Sequence, residues 1–285
     1  MQICRYDSDR LGVVQNDHVY DVTEVREEVM QAVPWHGLGD PVIARLPQLI
    51  ARIRDVLAQR SPIPLAAVKL RSPVRSPTKL VAAPTNYRTH IAEMQAVTRG
   101  MPVQRSNDIG TAGMFLKANS SMVGPSEGVG LRFLDRRNDH EVELALVIGK
   151  VCNQVSMERA LDYVAGYCIG LDITLRGPED RSFRKSIDSY SVLGPWLVTA
   201  DEIPDPDNLQ LKLAVNNELR QNANTRDMVY SVRRLIEFSS TFYTLHPGDV
   251  LFTGTPEGVS PIKPGDTLSA EIEKVGRMVV AVRGS

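Results

Sequence analysis

The chain has 285 residues, of which 33 are Lys or Arg and 34 are Asp or Glu, so its formal net charge is −1. So neutral a chain lacks the clustered cations that displace counterions from a phosphate backbone, and we expect no nucleic-acid partner. Hydrophobic residues make up 42% and charged residues 24% of the chain, proportions that exclude wholesale disorder. The length allows one large domain or two smaller ones.

Cysteine content and hydropathy indicate the compartment. Cys4, Cys152 and Cys168 are too few and too scattered for a disulfide framework, and no C-x-x-C pair suggests a thiolate zinc site. The first residues lack the basic and apolar regions of a secretory signal. The longest uncharged apolar stretch near the middle, 144–149, is far shorter than the roughly 18–20 residues of a membrane span. We therefore expect a cytoplasmic protein without membrane contact.

The first part of the chain has the pattern of a small α/β module. Short strands are predicted at 1–6, 11–14 and 18–22, with a hairpin turn at Asn16-Asp17. Apolar residues at spacings of three and four predict an amphipathic helix over 46–57.

A proline-rich connection follows this module. Residues 61–78 carry four prolines and read as an extended segment. We therefore predict a small N-terminal domain over 1–72 and a larger catalytic domain over 73–285.

The second part is dominated by strand signals. Helices are predicted over 157–165, with Ser156 as N-cap and Gly166 just past the end, and from Ser231 to about residue 243. Residues 95–113 read as a loop or lid. This layout lacks regular βαβ alternation, so the predicted fold class is α+β and strand-dominated. The strands are predicted at 79–83, 140–149, 167–174, 250–253, 267–272 and 278–282.

One motif is a decoy. Residues 124–128 (GPSEG) fit the letters of a nucleophile elbow, G-x-S-x-G. Such an elbow needs a strand before the serine and a helix after it, whereas here proline precedes the serine and Gly-Val-Gly follows. We interpret the segment as a turn.

The informative cluster is acidic. Glu141 and Glu143 lie two residues apart on a predicted strand, so both carboxylates point to one face. An edge strand with an acidic solvent face explains this pair equally well. Asp172 favours a site, because an ionised carboxylate among the apolar residues of CIGLDITL needs a partner. Three carboxylates suit Mg²⁺ or Mn²⁺, provided that the two strands adjoin, which spacing alone does not establish.

Three further groups are candidates, each with a plain alternative. His90 and Glu93 lie three residues apart on a helical turn, where a carboxylate can orient an imidazole as a base, although a surface pair is the commoner reason for this spacing. Arg184 and Lys185 read equally as a surface basic pair. The turn 253–256 (TGTP) offers amides and hydroxyls to an anion, or is an ordinary turn.

Taken together, these segments resemble the fumarylacetoacetate hydrolase family, including its acylpyruvase and oxaloacetate decarboxylase branch. The matching segments keep the family's order over about 200 residues from Lys79 onward. They are NYRTHIAEM (86–94), FLKANSSMVGP (115–125), NDHEVELALVIGK (138–150), AGYCIGLDIT (165–174), RKSIDSYSVLGPW (184–196) and PGDVLFTGTPEGV (247–259). The ordered set outweighs the plain alternatives given for each group alone.

The resemblance implies a fold and residue roles. The fold is a β-roll of mixed sheets preceded by a small N-terminal domain, and the assembly is a homodimer or larger. Metal ligands fall on Glu141, Glu143 and Asp172. The water-activating dyad falls on His90 and Glu93, carried on a lid, and Lys185 holds the substrate or enolate oxygen. Substrate-binding positions fall on Tyr87, Arg88, Lys117, Arg176 and Thr255.

The resemblance also implies a reaction. A Mg²⁺- or Mn²⁺-dependent hydrolase would cleave a C–C bond in a small anionic 1,3-dicarbonyl acid such as an acylpyruvate, fumarylpyruvate or fumarylacetoacetate. Water activated by the dyad would attack the remote carbonyl, and the ion and Lys185 would stabilise the enolate that leaves. A 2-oxo acid decarboxylase, isomerase or hydratase of aromatic catabolism would use the same site. A non-catalytic relative is the third possibility.

Two segments depart from the family pattern, and both border the expected pocket. After Asp172-Ile173-Thr174 many relatives read Arg-Asp-x-Gln, whereas this chain continues with residues 175–181 (LRGPEDR) and lacks the glutamine. The segment 95–113 is longer than a minimal lid. These departures therefore bear on the identity of the substrate more than on the fold or the metal.

Overall fold

A computed structural model describes residues 1–32, 34–91 and 109–284, and it has the strand-dominated α+β fold that the sequence predicts. The strands in chain order are β1 (Gln2–Tyr6), β2 (Arg10–Gln15), β3 (His18–Asp21), β4 (Pro62–Pro64), β5 (Leu70–Arg71), β6 (Leu80–Ala82), β7 (Phe115–Lys117), β8 (Met122–Val123), β9 (Val129–Leu131), β10 (Asn138–Asp139), β11 (Val142–Ile148), β12 (Val164–Asp172), β13 (Thr174–Leu175), β14 (Ser191–Thr199), β15 (Gln210–Val215), β16 (Glu218–Asn224), β17 (Val250–Phe252), β18 (Thr267–Ile272) and β19 (Gly276–Gly284).

The helices are short. The α-helices are α1 (Thr23–Ala32), α2 (Pro41–Ala44), α3 (Leu46–Val56), α4 (Ile109–Ala112), α5 (Arg181–Arg184) and α6 (Val232–Phe242). Residues 88–91 are also helical. Single 3₁₀ turns or short 3₁₀ helices occupy Leu57–Gln59, Leu65–Ala67, Asn119–Ser121, Pro125–Glu127, Met157–Tyr163, Ala200–Glu202 and Thr225–Asp227.

Most strands of the described residues belong to one mixed sheet. Its order is β4-β3-β2-β1-β14-β12-β11-β17-β6-β7, with β5 paired to β1 and β8 paired to β14. A second sheet has the order β16-β15-β18-β19-β9, and β10 and β13 form a small pair beside the site described below. Antiparallel pairs predominate, while β6 pairs β17, β8 pairs β14 and β9 pairs β19 in parallel.

Strand β11 runs through the middle of the large sheet and is buried along its whole length. Leu144 and Leu146 pack into one hydrophobic core, and Ala145 and Val147 pack into another on the opposite face. Successive side chains of a strand point to opposite faces, so this strand is apolar throughout because both of its faces are covered. The burial of both faces explains why the residues of β11 are continuously apolar after Glu143.

The N-terminal strands extend the same sheet. Strand β1 pairs antiparallel with β14, with Gln2 opposite Val198, and α1 and α3 pack on the core that also contains Ala145. Hydrogen bonding is therefore continuous between residues 1–72 and the remainder. The division into domains at 1–72 and 73–285 stays a prediction.

Most predicted elements are confirmed. The hairpin between β2 and β3 turns at Asn16 and Asp17, both with positive φ, and the predicted helix over 46–57 is α3. Ser231 caps α6 by accepting a hydrogen bond from the Arg234 amide. Residues 125–127 form a 3₁₀ turn, so the G-x-S-x-G segment is a turn and not a nucleophile elbow.

The helix predicted over 157–165 is wrong in type and extent. The segment is a 3₁₀ helix that ends at Tyr163, Ser156 makes no side-chain cap, and Gly166 lies inside β12. A Cβ on Gly166 would lie 2.2 Å from the Val198 carbonyl oxygen, so this glycine permits close pairing of β12 with β14 rather than ending a helix.

Two further predictions concern the lid and the membrane. Of the segment 95–113, residues 95–108 lie outside the described residues, and 109–112 form α4. Across residues 1–32, 34–91 and 109–284, the structure contains no helix with the length and apolarity of a membrane span.

Candidate metal centre

Three buried carboxylates meet where two neighbouring strands begin and end. Glu141 directly precedes β11, Glu143 is its second residue, and Asp172 is the last residue of β12. The antiparallel register places Val142 opposite Leu171, and the Asp172 amide donates to the Glu141 carbonyl at 2.9 Å. One oxygen from each carboxylate lies within 4.8 Å of the other two. The two strands therefore adjoin, and the three predicted metal ligands are brought together.

The carboxylates have opposite electrostatic environments. Burial raises the pKa of Glu143 well above its usual value, and the charges of Asp172 and Glu141 raise it further. Burial acts in the same direction on Glu141, but Lys185 and Arg176 outweigh it and lower the pKa of Glu141 to about 2. Without a further cation, the cluster thus favours a protonated Glu143 beside an ionised Glu141.

Two buried lysines neutralise part of this charge. Lys185 Nζ donates to Glu141 Oε2 and to Asp172 Oδ2, each at 2.6 Å. Lys117 Nζ donates to the other oxygen of Asp172 and to the Tyr190 carbonyl, the latter at 2.9 Å. Burial and the nearby charge of Lys185 lower the pKa of Lys117, although Asp172 opposes this shift. Both lysines, predicted to contact substrate or enolate, therefore hold the carboxylate cluster.

Arg176 joins this cluster to a second carboxylate. Its Nε donates to Asp139 Oδ2 at 2.7 Å, and one of its terminal nitrogens lies 3.3 Å from Glu141 Oε1. Asp139 is fully buried and accepts also from Arg137 Nε at 2.7 Å. Arg176, predicted to bind substrate, is thus held in the wall of the site by Asp139.

The Thr-Gly-Thr-Pro turn after β17 supports Glu143. The Gly254 amide donates to Glu143 Oε2 at 2.6 Å, which stabilises the ionised carboxylate. Thr255 Oγ1 donates to the Val142 carbonyl at 2.9 Å and accepts from Gln221 Nε2 at 2.8 Å. The Thr255 hydroxyl, predicted to contact the substrate carboxylate, is therefore already paired within the protein.

Gln221 is a supporting residue that the sequence analysis missed. Its Oε1 accepts from the Val142 amide at 3.1 Å and lies 3.1 Å from His140 Nδ1, while its Nε2 donates to Thr255 and to the Pro256 carbonyl. Because Oε1 is an acceptor, His140 Nδ1 carries the proton, and His140 Nε2 faces Ser260 Oγ at 2.8 Å. One buried amide thus ties the strand that carries both glutamates to the turn that supports Glu143.

The segment predicted to carry the dyad lies beside this cluster. His90 is buried, and it lies close enough to Glu141 for the two side chains to interact electrostatically. The Tyr87 hydroxyl is buried without a hydrogen-bond partner in the described structure, and burial and the charge of Glu143 raise its pKa. Arg88 is exposed. Glu93 lies outside the described residues, so the dyad stays a prediction.

The chemistry of the three candidate ligands determines which metal ion fits the site. All three candidate ligands are carboxylates, which suit hard divalent cations that prefer oxygen. A bound divalent ion would also relieve the repulsion by Asp172 and Glu141 that, together with burial, raises the pKa of Glu143. The fold and site therefore define a class: a strand-dominated α+β protein with a buried, oxygen-only site for Mg²⁺ or Mn²⁺.

The chain belongs to the fumarylacetoacetate hydrolase family: residues 79–283 match the family described as fumarylacetoacetate (FAA) hydrolase C-terminal. A maleylpyruvate hydrolase of Aquipseudomonas alcaligenes is 54% identical over 287 residues, which cover 99% of each chain.

Solved structures agree with this membership. A maleylpyruvate hydrolase from Sphingobium sp. SYK-6, in complex with manganese(II) and pyruvate, has a TM-score of 0.85 and 38% identity over the full length of both chains. A 5-carboxymethyl-2-hydroxymuconate delta-isomerase from Mycobacterium smegmatis has a TM-score of 0.71 and 28% identity, again over both full chains. The predicted family and fold are confirmed.

Replacement of Gln221 by leucine is expected to destabilise the protein and loosen the site. The change leaves the Val142 amide and His140 Nδ1–H without partners in the core, and each buried unsatisfied group costs about 1–3 kcal/mol. Urea denaturation is expected to give a free energy of unfolding lower by about 2 kcal/mol or more. Gln210→Leu, at an exposed position, is the matched control and should change it by less than about 0.5 kcal/mol. Equal midpoints for both variants would contradict the supporting role of Gln221.

Proposed function

We propose that this protein is a divalent-metal-dependent hydrolase that cleaves the C–C bond of acylpyruvates, with maleylpyruvate as the first candidate substrate. The observation that carries the proposal is the buried triad Glu141, Glu143 and Asp172, with Lys185 bound to two of its members. Two family relatives with full-length similarity are maleylpyruvate hydrolases, and one was solved with manganese(II) and pyruvate. Pyruvate is the fragment that cleavage of an acylpyruvate releases.

The triad would hold the ion. A divalent ion there supplies Lewis-acid polarisation of a 2-oxo acid carbonyl and a positive charge beside the leaving group. Lys185 uses two of its three donor positions on Glu141 and Asp172 within the described structure, which leaves a third for a substrate oxygen. We assign Lys185 the stabilisation of negative charge on the pyruvate fragment as the C–C bond breaks.

We assign the activation of water to His90. The residue is buried beside Glu141, and it is carried on the helical turn 88–91 that precedes Glu93. A carboxylate that accepts from one imidazole nitrogen leaves the other as a base. In this proposal His90, oriented by Glu93, takes a proton from the water that attacks the carbonyl remote from the 2-oxo acid end. C–C cleavage then gives a carboxylic acid and the pyruvate enolate, and protonated His90 or solvent returns a proton to C3 of that enolate.

An isomerase is the second candidate. The similarity to the M. smegmatis delta-isomerase supports it, because an isomerisation through an enolate uses the same lysine and triad without water attack. Decarboxylation of a 2-oxo acid and hydration in aromatic catabolism would also use a lysine and a carboxylate triad to stabilise an enolate. The intact carboxylate cluster argues against a non-catalytic role.

Purified protein with Mn²⁺ or Mg²⁺ is expected to hydrolyse acylpyruvates, with maleylpyruvate and fumarylpyruvate in the test panel. Release of pyruvate, followed by a coupled lactate dehydrogenase assay, measures the reaction. Oxaloacetate and 2-hydroxymuconate-type acids, analysed by NMR, test the decarboxylase and isomerase alternatives. Failure to cleave any acylpyruvate with either ion would overturn the proposed function.

His90→Ala serves as the mechanistic control in that assay. It should abolish hydrolysis while the protein still exchanges the C3 protons of pyruvate with solvent, because solvent water or buffer can take the C3 proton once the ion and Lys185 polarise the carbonyl, and this step needs no water activated by His90. Equal loss of hydrolysis and exchange would assign His90 to proton transfer in enolisation instead.

Metal binding is expected to strengthen as pH rises and to release a proton. Glu143 has a raised pKa in the metal-free site and binds a cation only as the carboxylate, so affinity increases up to that pKa and then levels off. Calorimetric titration of Mn²⁺ in two buffers of different ionisation enthalpy measures the released protons. Glu143→Gln should abolish the release and weaken binding by more than about 10-fold, the loss typical of altering even a group that only supports a ligand. Unchanged Mn²⁺ affinity in this variant would refute the metal assignment.

We further propose a cytoplasmic homodimer. The three cysteines are free and buried, which fits a reducing compartment, and family resemblance supports the dimer. Sedimentation of a species twice the 31.5 kDa chain mass is expected. A 31.5 kDa species at working concentration would contradict the dimer.

A further inference from the structure

Four cationic side chains lie at or near the carboxylate cluster, and Arg184 is the one that contacts none of its carboxylates. Lys117, Lys185 and Arg176 each contact at least one carboxylate of the site. Arg184, on the short helix α5, forms no ion pair with any described residue. Its hydrogen bond runs from NH1 to the Leu175 carbonyl at 3.1 Å.

The position of Arg184 is in the wall beyond Arg176. Leu175 ends β13 and is followed by Arg176, which reaches Glu141, whereas Arg184 contacts none of the three triad carboxylates. Arg184 is half-buried, and burial together with the positive charge of Arg176 lowers its pKa, although the charges of Glu141 and Asp172, which it does not contact, oppose this shift. A half-buried guanidinium beside another guanidinium is stabilised by an anion.

The charges around the site indicate what kind of anion would pair with Arg184. Lys117, Lys185, Arg176 and Arg184 lie around the carboxylates of Asp139, Glu141, Glu143 and Asp172, and Arg137 also pairs with Asp139. A divalent ion would add two positive charges, so the loaded site has an excess of positive charge that a diacid substrate offsets better than a monoacid one. Four of the five N–H donors of Arg184 are not used by the Leu175 carbonyl, and a planar guanidinium pairs with a carboxylate through two parallel hydrogen bonds.

We propose that Arg184 binds the second, distal carboxylate of the substrate and makes the enzyme selective for diacid acylpyruvates over monoacid ones. This inference rests on the proposed function, in which the 2-oxo acid end lies at the triad and the acyl chain extends away from it. The distal carboxylate of such a substrate then reaches the wall that Arg184 occupies. Arg184 is a specificity residue, and the chemistry at the scissile bond does not require it.

Hydrolysis of a matched substrate pair tests the inference. Arg184→Gln is expected to lower kcat/KM for maleylpyruvate or fumarylpyruvate by about 10- to 100-fold, the loss typical of one charge-assisted hydrogen-bond pair, and to change kcat/KM for acetylpyruvate by less than about 3-fold. Arg184→Lys should lie between, because a lysine keeps the charge but lacks the planar fork. Arg132→Gln, which removes an exposed arginine paired with Asp188, is the matched control and should leave both values unchanged.

A binding measurement separates specificity from damage to the site. In the Mn²⁺-loaded protein, 2-oxopimelate and 2-oxoheptanoate carry a 2-oxo acid end but no second carbonyl to cleave, and they differ in the distal carboxylate. The wild type should bind the diacid more tightly, and Arg184→Gln should remove that preference without changing the Mn²⁺ dissociation constant. An equal loss for both ligands, or no change for either, would overturn the role of Arg184 while the hydrolase proposal stands. A wild type that cleaves no acylpyruvate would overturn both.

Discussion

The burial of three carboxylates within 4.8 Å of one another is the constraint on which the rest of the site depends. Charges removed from water are stable only where partners are close and well oriented, so each carboxylate needs a cation or an amide donor fixed in place. Here those partners come from distant parts of the chain. Lys117 ends β7, Lys185 follows α5, and the Gly254 amide belongs to the turn after β17. The large sheet brings these elements to one point.

The same constraint links structure to chemistry. An apolar core could be packed without lysines, but a site that holds a divalent cation must tolerate strong negative charge both before and after the cation binds. Lys185 shares its donors between Glu141 and Asp172, so the charge of the metal-free cluster is partly met. The raised pKa of Glu143 favours its protonated form, which reduces the negative charge that Lys185 does not neutralise. When Glu143 is ionised, the Gly254 amide donates a hydrogen bond to it. The site therefore has two compatible charge states, which is what reversible loading with a cation requires.

Much of this arrangement could be predicted from the sequence, and the failures have identifiable causes. The two-residue spacing of Glu141 and Glu143 and the apolar surroundings of Asp172 predicted the ligand set. That Glu141 lies opposite Asp172 follows from strand register, which a single sequence does not reveal. Gln221 was missed because its strand β16 is largely exposed and a buried amide on such a strand has no local sequence pattern. The 157–165 segment was misassigned because Gly166 carries the same signal in a helix end as in a close strand pairing.

The departure from the family pattern after Asp172 acquires a physical meaning in this structure. Arg136 is bound to both oxygens of Glu179 and donates to the Arg176 carbonyl, so the segment that replaces the usual run is anchored at both ends. A Cβ on Gly177 would lie 1.8 Å from the Arg136 guanidinium, so any other residue at this position would displace the Arg136–Glu179 pair from its present arrangement. A wall fixed in this way presents Arg176 and Arg184 in one arrangement before substrate arrives. Preorganised charge of this kind favours a substrate whose own charges match it and disfavours an isostere that lacks one of them, because the unmatched guanidinium stays half-buried without an anion. If Arg184 has the role inferred above, substrate choice depends on the short segment between Asp172 and Lys185, whereas the candidate metal ligands belong to the strands β11 and β12 and their ends.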